Sequence, residues 1–410
     1  MTDGWDAVVV GAGPAGAASA LLLARAGARV LLLDRARFPR DKPCSEYLSP
    51  ATTAILEGLG EGILDAVEGA AHAKLYGMKV VAPSGAAMCG RFVDAPRPYS
   101  FALPRTTFDT ILVAAAARAG AVVRQGVMVD DLVLDGRVGG RAVAGVVARS
   151  AGGTHETFRA RITIGADGLR SVVARRLGVV RTAPPRRVAF TAHVADVAGV
   201  DGVGELHVSD HGYVGMGPVG GGVTTVALVV PQATVRQERR DFRRTFFDEL
   251  ERFPGLAGRF NPRRLVREVL VTGPFAQWSH TAVAPGGGAI LVGDAADFFD
   301  PFTGQGIHAA LRGAELAAEC VIPALARGVS MTLPAPALQP YSKARRRAFL
   351  GKWLLERLIA VGVGSPTLTN HVVRRLARRP DLADLVVSAA GNTVPARRVL
   401  APSVLAQLLW

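Results

Sequence analysis

The sequence predicts a mixed α/β chain in three parts: a discontinuous domain built on a parallel sheet, a second domain of antiparallel β-sheet set into it, and a C-terminal helical tail. Three observations carry this reading. A complete strand–turn–helix–strand unit opens the chain. Two further apolar runs, far downstream, each end in a glycine–acid turn. Between and after these lie stretches of alternating apolar and polar residues, the period of half-buried strands.

The first unit is WDAVVVGAGPAGAASALLLARAGARVLLLDR, Trp5 to Arg35. A short apolar run is followed by a glycine-rich turn, an alanine-rich helix that Gly27 ends, and a second apolar run that closes on Asp34. The glycines Gly11, Gly13 and Gly16 form GxGxxG, the Rossmann-type signature of a dinucleotide site when strand and helix flank it. Gly11 permits the tight turn, Gly13 lets the backbone approach a pyrophosphate, and Gly16 lets helix and strand pack closely. Pro14 and Ala15 start the helix, whose N-terminal amides face the phosphates. Asp34 is placed to accept from ribose hydroxyls, with Arg35 next to it.

The second turn is ITIGADGL, Ile162 to Leu169, with Asp167 between Gly165 and Gly168. The third is AILVGDAADFFDPFTGQGI, Ala289 to Ile307, which runs into an apparent helix. A plain NAD dehydrogenase has no need of glycine–acid turns so far along. A long cofactor lying across one sheet does.

Taken together, GAGPAG, ADG and GDAADFFDPFTGQGI resemble the FAD-dependent oxidoreductases of the aromatic-hydroxylase fold, over roughly Trp5 to Glu319. That superfamily includes phenol-type monooxygenases, geranylgeranyl reductases and flavin-dependent halogenases. The resemblance implies that Asp294, after Gly293, binds the ribityl chain of FAD, and that Pro301 sits beside the ring. Gly304, Gln305, Gly306 and Ile307 would offer helix N-terminal amides to the flavin's pyrimidine edge. In LPRTTFDTILVAAAARAGA it places Arg105 at the FAD phosphates, although the residue also reads as a solvated arginine at a helix start. Asp167 would sit where both dinucleotides are felt. FPRDKPCSEYLSP is similar to the reductase branch: Arg40, Lys42 and Cys44 are kept, and Ser45 stands where that branch has glycine. Cys44 then lines the active site; alternatively it is a small buried thiol. No attachment motif for a covalent flavin is seen, so noncovalent FAD is expected.

These placements give the domains. Residues 1–70, 100–182 and 281–345 form the FAD domain, 71–99 and 183–280 the substrate sheet, and 346–410 a helical cover. In the sheet, GYVGMGP (Gly212 to Pro218) keeps the Tyr213 and Pro218 of the family pattern but has Gly215 and Gly217 for its two large residues. The glycines either open space beside the flavin or relieve strand packing. The second tryptophan of the halogenase pattern is missing. The first expectation is therefore an NAD(P)H-dependent monooxygenase that uses molecular oxygen on a lipophilic aromatic or polyketide-type molecule of secondary metabolism. The alternative is a geranylgeranyl reductase-like enzyme that saturates isoprenoid C=C bonds; a halogenase or a non-catalytic escort protein ranks lower. Tyr213, His207, His211 and His308 are candidate acid–base groups, and none is singled out.

Composition bounds the rest. With 410 residues, 49% hydrophobic and 20% charged, the chain is globular. Its 3 cysteines lack paired or zinc-type spacing, which points to reduced thiols, no metal and a cytosolic protein. No run reaches the ~18 apolar residues of a membrane span. The net charge of +14 gathers in RRDFRR (239–244), KARRR (343–347) and RRLARR (374–379). No nucleic-acid motif accompanies them, so nucleic acid is not expected as a partner. Solvated helix faces are the first reading, attraction to an anionic membrane the second. The tail mixes these arginines with WLLERLIAVGVG, DLADLVVSAAG and VLAQLLW, which fits a cover over the FAD domain or a lid that meets a membrane.

Overall fold

A computed structural model describes residues 4–136, 141–184, 186–237, 241–253, 255–327 and 331–409. Arg239 and Arg240 of the 239–244 basic cluster lie outside them. Five parallel strands form the heart of the first sheet, in the order Val122–Gln125, Val30–Asp34, Trp5–Val10, the C-terminal half of His155–Gly165, and Ala289–Leu291. One row of that register reads Val123, Leu32, Val9, Ile164, Ile290. Strands covered on both faces are apolar without alternation, which is why these segments read VVV, LLL and ITI. The N-terminal half of His155–Gly165 instead pairs antiparallel with Ala142–Ser150, which pairs with Val127–Asp135. Because the five strands run parallel, Gly11, Asp34, Ala166 and Gly293 all lie at the same edge, where open α/β sheets bind ligands.

The second sheet has seven strands: Leu265–Thr272, Arg187–Ala195, Val223–Pro231, Gly212–Gly220, Gly204–Ser209, Gly77–Val81 and Ala87–Arg91. The alternation of GVTTVALVV decides its two faces. Val226, Leu228 and Val230 pack with Phe246 and Leu250 of the helix Phe242–Glu251. Thr225, Ala227 and Val229 turn the other way, into a cavity shared with the first domain.

The chain ends in the helices Ala335–Val363, Pro366–Ala377, Pro380–Ala390 and Pro402–Leu409. The first of these runs through position 345/346, so the expected start of the tail falls inside a continuous helix. The others pack Leu376, Leu382, Val387 and Leu408 against Met88 and Phe92. They also close the edge of the second sheet. The Arg91 amide donates to Asp384 at 2.7 Å and the Val93 amide to Ser388 Oγ at 2.9 Å. A free strand edge is a template for aggregation, and these two side chains cover its C-terminal end. Gly90 is needed for this approach, since a Cβ there would lie 2.5 Å from the Ala383 carbonyl oxygen. In KARRR, Arg346 and Arg347 are solvated as expected, but Arg345 is buried and pairs with Asp297.

Candidate active site

Two helices begin at the cavity. Pro14–Arg25 starts after Gly13 and Gly306–Ala326 after Gln305; neither has a side-chain cap or an acidic residue in its first turn. Gly13, Pro14, Ala15, Gly304, Gln305, Gly306 and Ile307 all border the cavity. Two uncapped N-termini leave amide donors and two positive dipole ends aimed into one space. The glycines divide by task. A Cβ on Gly16 would sit 1.7 Å from the Gly11 carbonyl oxygen, and one on Gly11 2.6 Å from that of Ala166, so packing alone requires both. A Cβ on Gly13 would meet only Arg40 Nη2 at 3.6 Å and Arg105 Nη2 at 3.8 Å. The fold tolerates a side chain there; an approaching phosphate does not.

Those arginines form a cationic cradle. Arg105 is 4% exposed, not solvated, and its Nε and Nη2 donate to the two Asp109 oxygens at 2.7 Å each. Arg40 Nη1 lies 2.8 Å from the same carboxylate, so two guanidinium groups share one counter-charge. Burial pushes the Arg105 guanidinium down, but Asp109 and then Cys44 together more than offset this and the net shift is upward. Lys42 borders the cavity nearby, its ammonium pushed down by burial and then by Arg105. Asp294 faces this group. Burial pushes its carboxyl up, against the pull of Lys42, Arg105 and Lys352. The other acids of GDAADFFDPFTGQGI are spoken for: Asp297 accepts from Arg345 and from Trp353 Nε1, and Asp300 from Tyr213 and Arg187. Asp294 is left to take a hydroxyl from a ligand. The uncapped amides, the open Gly13 and the cationic cradle suit a pyrophosphate, and Asp294 suits a polyol chain, so the residues fit FAD.

The opposite wall is the second sheet. Gly215 pairs with Ala227 and Gly217 with Thr225, while Thr191 lies across from Ala227. All five border the cavity and make a floor of small side chains. A Cβ on Gly215 would meet Leu206 at 3.7 Å and one on Gly217 Leu75 at 3.4 Å. Backbone does not obstruct either, so these glycines are not demanded by strand packing and their absent side chains leave room beside the floor. Tyr213 stands at one end, its hydroxyl donating to Asp300 and its ring edge-on to Phe302 at 5.0 Å.

Cys44, Pro301, Gly293, Asp294, Arg105 and Tyr213 thus come together at one cavity, and five residues expected at the site do not border it. Gly11 and Gly16 hold the turn. Asp34 accepts from the Ala12 amide at 2.7 Å and the Ala36 amide at 2.8 Å, so its carboxylate orders the glycine loop; Arg35 is exposed. Asp167 accepts from Ser171 Oγ and the Val172 amide at 2.6 Å each, anchoring the start of the helix Val172–Arg176. His207, His211 and His308 are also absent from the wall. His207 is tied to Glu205, which Arg259 grips with two hydrogen bonds. Among the described residues no group of three or more His, Cys, Asp or Glu is placed to hold a metal ion.

One residue at the site carries no signal in the sequence. Glu46, wholly buried beside Cys44, hydrogen-bonds His193, accepts from the Arg105 amide at 3.1 Å and lies 3.5 Å from Arg267. Its φ of +59° is uncommon for glutamate, and nothing in the sequence marks it. The tail also enters the site: Val386, Val387 and Ala390 border the cavity, and Gln305 Nε2 donates to the carbonyls of Ala389 and Ala390 at 3.2 and 3.0 Å.

A parallel sheet with two uncapped helix starts, a cationic cradle and a facing antiparallel wall defines a flavoprotein oxidoreductase. The chain belongs to the FAD binding domain family, whose model matches residues 5–346. It is 30% identical to the menaquinone reductase of Mycolicibacterium smegmatis, over 95% of this chain and 92% of that protein. It is likewise 30% identical to the digeranylgeranylglycerophospholipid reductase of Methanospirillum hungatei, over 86% and 84%. Among solved structures, a flavoprotein/dehydrogenase from Cytophaga hutchinsonii superposes with a TM-score of 0.79 at 21% identity, covering 95% of this chain and 93% of that one. A geranylgeranyl bacteriochlorophyll reductase-like protein from Thermoplasma acidophilum gives 0.77 at 23%, covering 98% of each. The myxobacterial chondrochloren halogenase gives 0.78 at 22%, covering 95% and 93%, which speaks for the fold alone.

Proposed function

We propose that this protein is an FAD-dependent reductase that saturates a carbon–carbon double bond of a lipophilic, polyprenyl-type substrate. The observation that carries the reading is the floor of Ala189, Thr191, Gly215, Gly217, Thr225 and Ala227: small side chains, open, with two hydroxyls but no ionisable group. A hydroxylase gains from a base that makes its aromatic substrate electron-rich. Here the nearest candidates on this wall are engaged, Glu205 by Arg259 and Tyr213 by Asp300. Saturating a double bond needs no base, only a hydride (two electrons and a proton) on one carbon and a second proton on the other. The reductase names of the 30%-identical relatives support this over the hydroxylase expectation.

Reduced FAD, when bound, supplies a hydride equivalent, and NAD(P)H is the proposed source of its electrons. The chain does the rest. Arg40, Arg105 and the amides after Gly13 hold the pyrophosphate, Asp294 the ribityl hydroxyls, and the amides of Gly306 and Ile307 the pyrimidine edge. The floor and the helix Pro380–Ala390 exclude water, and Cys44, which borders the cavity on the cofactor side, hands a proton to the second carbon. The test is to reduce the protein with NADPH under nitrogen, add a menaquinone or a geranylgeranyl lipid, and weigh the product. A gain of two hydrogens supports the reading. A gain of one oxygen, in air only, replaces it with the hydroxylase, for which the room at Gly215 and Gly217 is the supporting observation.

A further inference from the structure

The helix Ala335–Val363 carries an exposed feature that the reaction does not use. Leu350, Leu354, Leu358 and Val361 follow at intervals of four, four and three, so they share one helical face. They are 45%, 49%, 42% and 65% exposed. Single apolar side chains are scattered over any surface, but a stripe of four on one helix marks an interaction site. The charge around it has one sign. Arg346, Arg347 and Arg357 are exposed on the same helix. Exposed Arg397 belongs to a turn beside it, where a Cβ on Gly351 would lie 3.4 Å from that of Ala396. The helix has one acidic residue, Glu356, and that is buried with Lys352 Nζ 2.6 Å away.

Beside the stripe a groove of about 720 Å³ runs between this helix and the strand Gln277–Ser279, with Leu350, Leu354, Trp278 and Trp353 in its walls. Asp297, Phe299, Arg345 and Glu356 border both this groove and the main cavity. The last three tail helices, in contrast, spend their apolar faces on the second sheet.

We propose that this face docks the protein on an anionic lipid bilayer, with the leucine stripe at the boundary of headgroups and acyl chains and the arginines on the lipid phosphates. Charge selects this occupant. A second copy placed on the same face would bring arginine against arginine, whereas anionic headgroups meet all four. The helix cannot span the bilayer and so lies in its plane. Docking also sets the mouth of the groove at the lipid, next to the cavity in which a greasy substrate would bind. That consequence rests on the reductase reading; the docking does not.

Sedimentation of the full-length protein with vesicles of phosphatidylcholine, with and without phosphatidylglycerol, tests it. The protein should pellet with the anionic vesicles at low salt, and high salt should release most of it as the charges are screened. The double variant Arg346→Gln/Arg347→Gln should lower partitioning roughly twenty-five-fold, at about fivefold per arginine near the surface. Leu354→Ser/Leu358→Ser should weaken it as well, while FAD content and melting temperature hold, because these side chains are exposed. Failure of the wild-type protein to pellet with anionic vesicles overturns the proposal, as does an arginine variant that pellets equally well. If the leucine variant instead turns a dimer into a monomer and leaves vesicle binding unchanged, the face belongs to a second copy and the proposal is also overturned.

Discussion

A methyl group at Gly13 would touch only two arginine tips, whereas one at Gly16 would sit 1.7 Å from a carbonyl oxygen. The pair separates a glycine kept for a ligand from one kept for the fold. Gly13→Ala should leave the apoprotein within about 0.5 kcal/mol of wild type and weaken FAD retention tenfold or more. Gly16→Ala should yield no folded protein. Apoprotein melts and flavin titration check both, and a Gly13→Ala protein with undiminished FAD affinity would mean that the pyrophosphate lies elsewhere. Asp294→Ala removes a carboxylate that faces cations but takes no hydrogen bond among the described residues, so it should cost FAD affinity more than stability. A charge-assisted hydrogen bond is worth about 1.5–3 kcal/mol, again tenfold or more in affinity. Glu46→Ala should do the reverse. It strips a buried counter-charge from His193 and Arg267, and the loss should be on the order of 3–5 kcal/mol in a urea titration. A loss below 1 kcal/mol would show that Asp41, the other ion-pair partner of Arg267, suffices alone.

At the scale of elements, what the sequence made legible was what is local. GxGxxG between two apolar runs fixes a strand, a turn and a helix within thirty residues, and the structure has them at Trp5–Val10, Pro14–Arg25 and Val30–Asp34. Contacts made across the chain left no such mark. Asp34 looks in sequence like a ribose ligand, and nothing there shows that it also accepts from the Ala12 amide of the glycine loop, 22 positions upstream. Arg345 sits in a run of five basic residues, yet its partner Asp297 is 48 positions away, so its burial could not be read from the run. The tail is the largest case. Its apolar runs announced a cover, but not that Asp384 and Ser388 would complete a strand edge some 295 residues upstream. Removing residues 381–410 should therefore do more than open the cavity. It uncovers Met88 and Phe92 and frees the Gln305 amide, so the shortened protein should melt lower and aggregate. A milder change isolates the lid. Gly90→Ala puts a methyl group 2.5 Å from the Ala383 carbonyl oxygen, and overpacking of that kind costs about 1–3 kcal/mol. It should raise the Michaelis constant for lipid substrate while FAD affinity, set at the far side of the cavity, stays unchanged. Equal loss of both would show that the tail helix supports the flavin loop and does not merely close the cavity.

For the whole molecule, acid should be destabilising in two separable steps, because one half-buried and one buried group resist protonation for different reasons. His308 is pushed down from 6.5 to about 4, first by burial and then by Lys352 and Arg312. The unfolded chain takes up this proton below about pH 6.5 while the folded chain refuses it, so stability falls with pH between 6.5 and 4. The full effect is on the order of 3 kcal/mol. Glu205 is the second group. Burial would raise it from 4.5, but hydrogen bonds from Arg259 and His207 bring it to about 2. Its contribution is intact above pH 4.5 and is lost between 4.5 and 2 as the carboxylate is forced to protonate. A net charge of +14 adds to both steps, since acid makes an already basic chain more so. Melting temperatures of the FAD-loaded protein at half-unit steps from pH 7.5 to 3.5 should therefore fall along two limbs. His308→Gln should flatten the upper limb and leave the lower one in place, and the comparison is of slopes, so a constant cost of the substitution does not obscure it. A wild-type protein whose melting temperature is level from pH 6.5 to 4.5 would show that His308 is protonated in the folded state, and with it that the start of the helix Gly306–Ala326 is wetter than its packing implies.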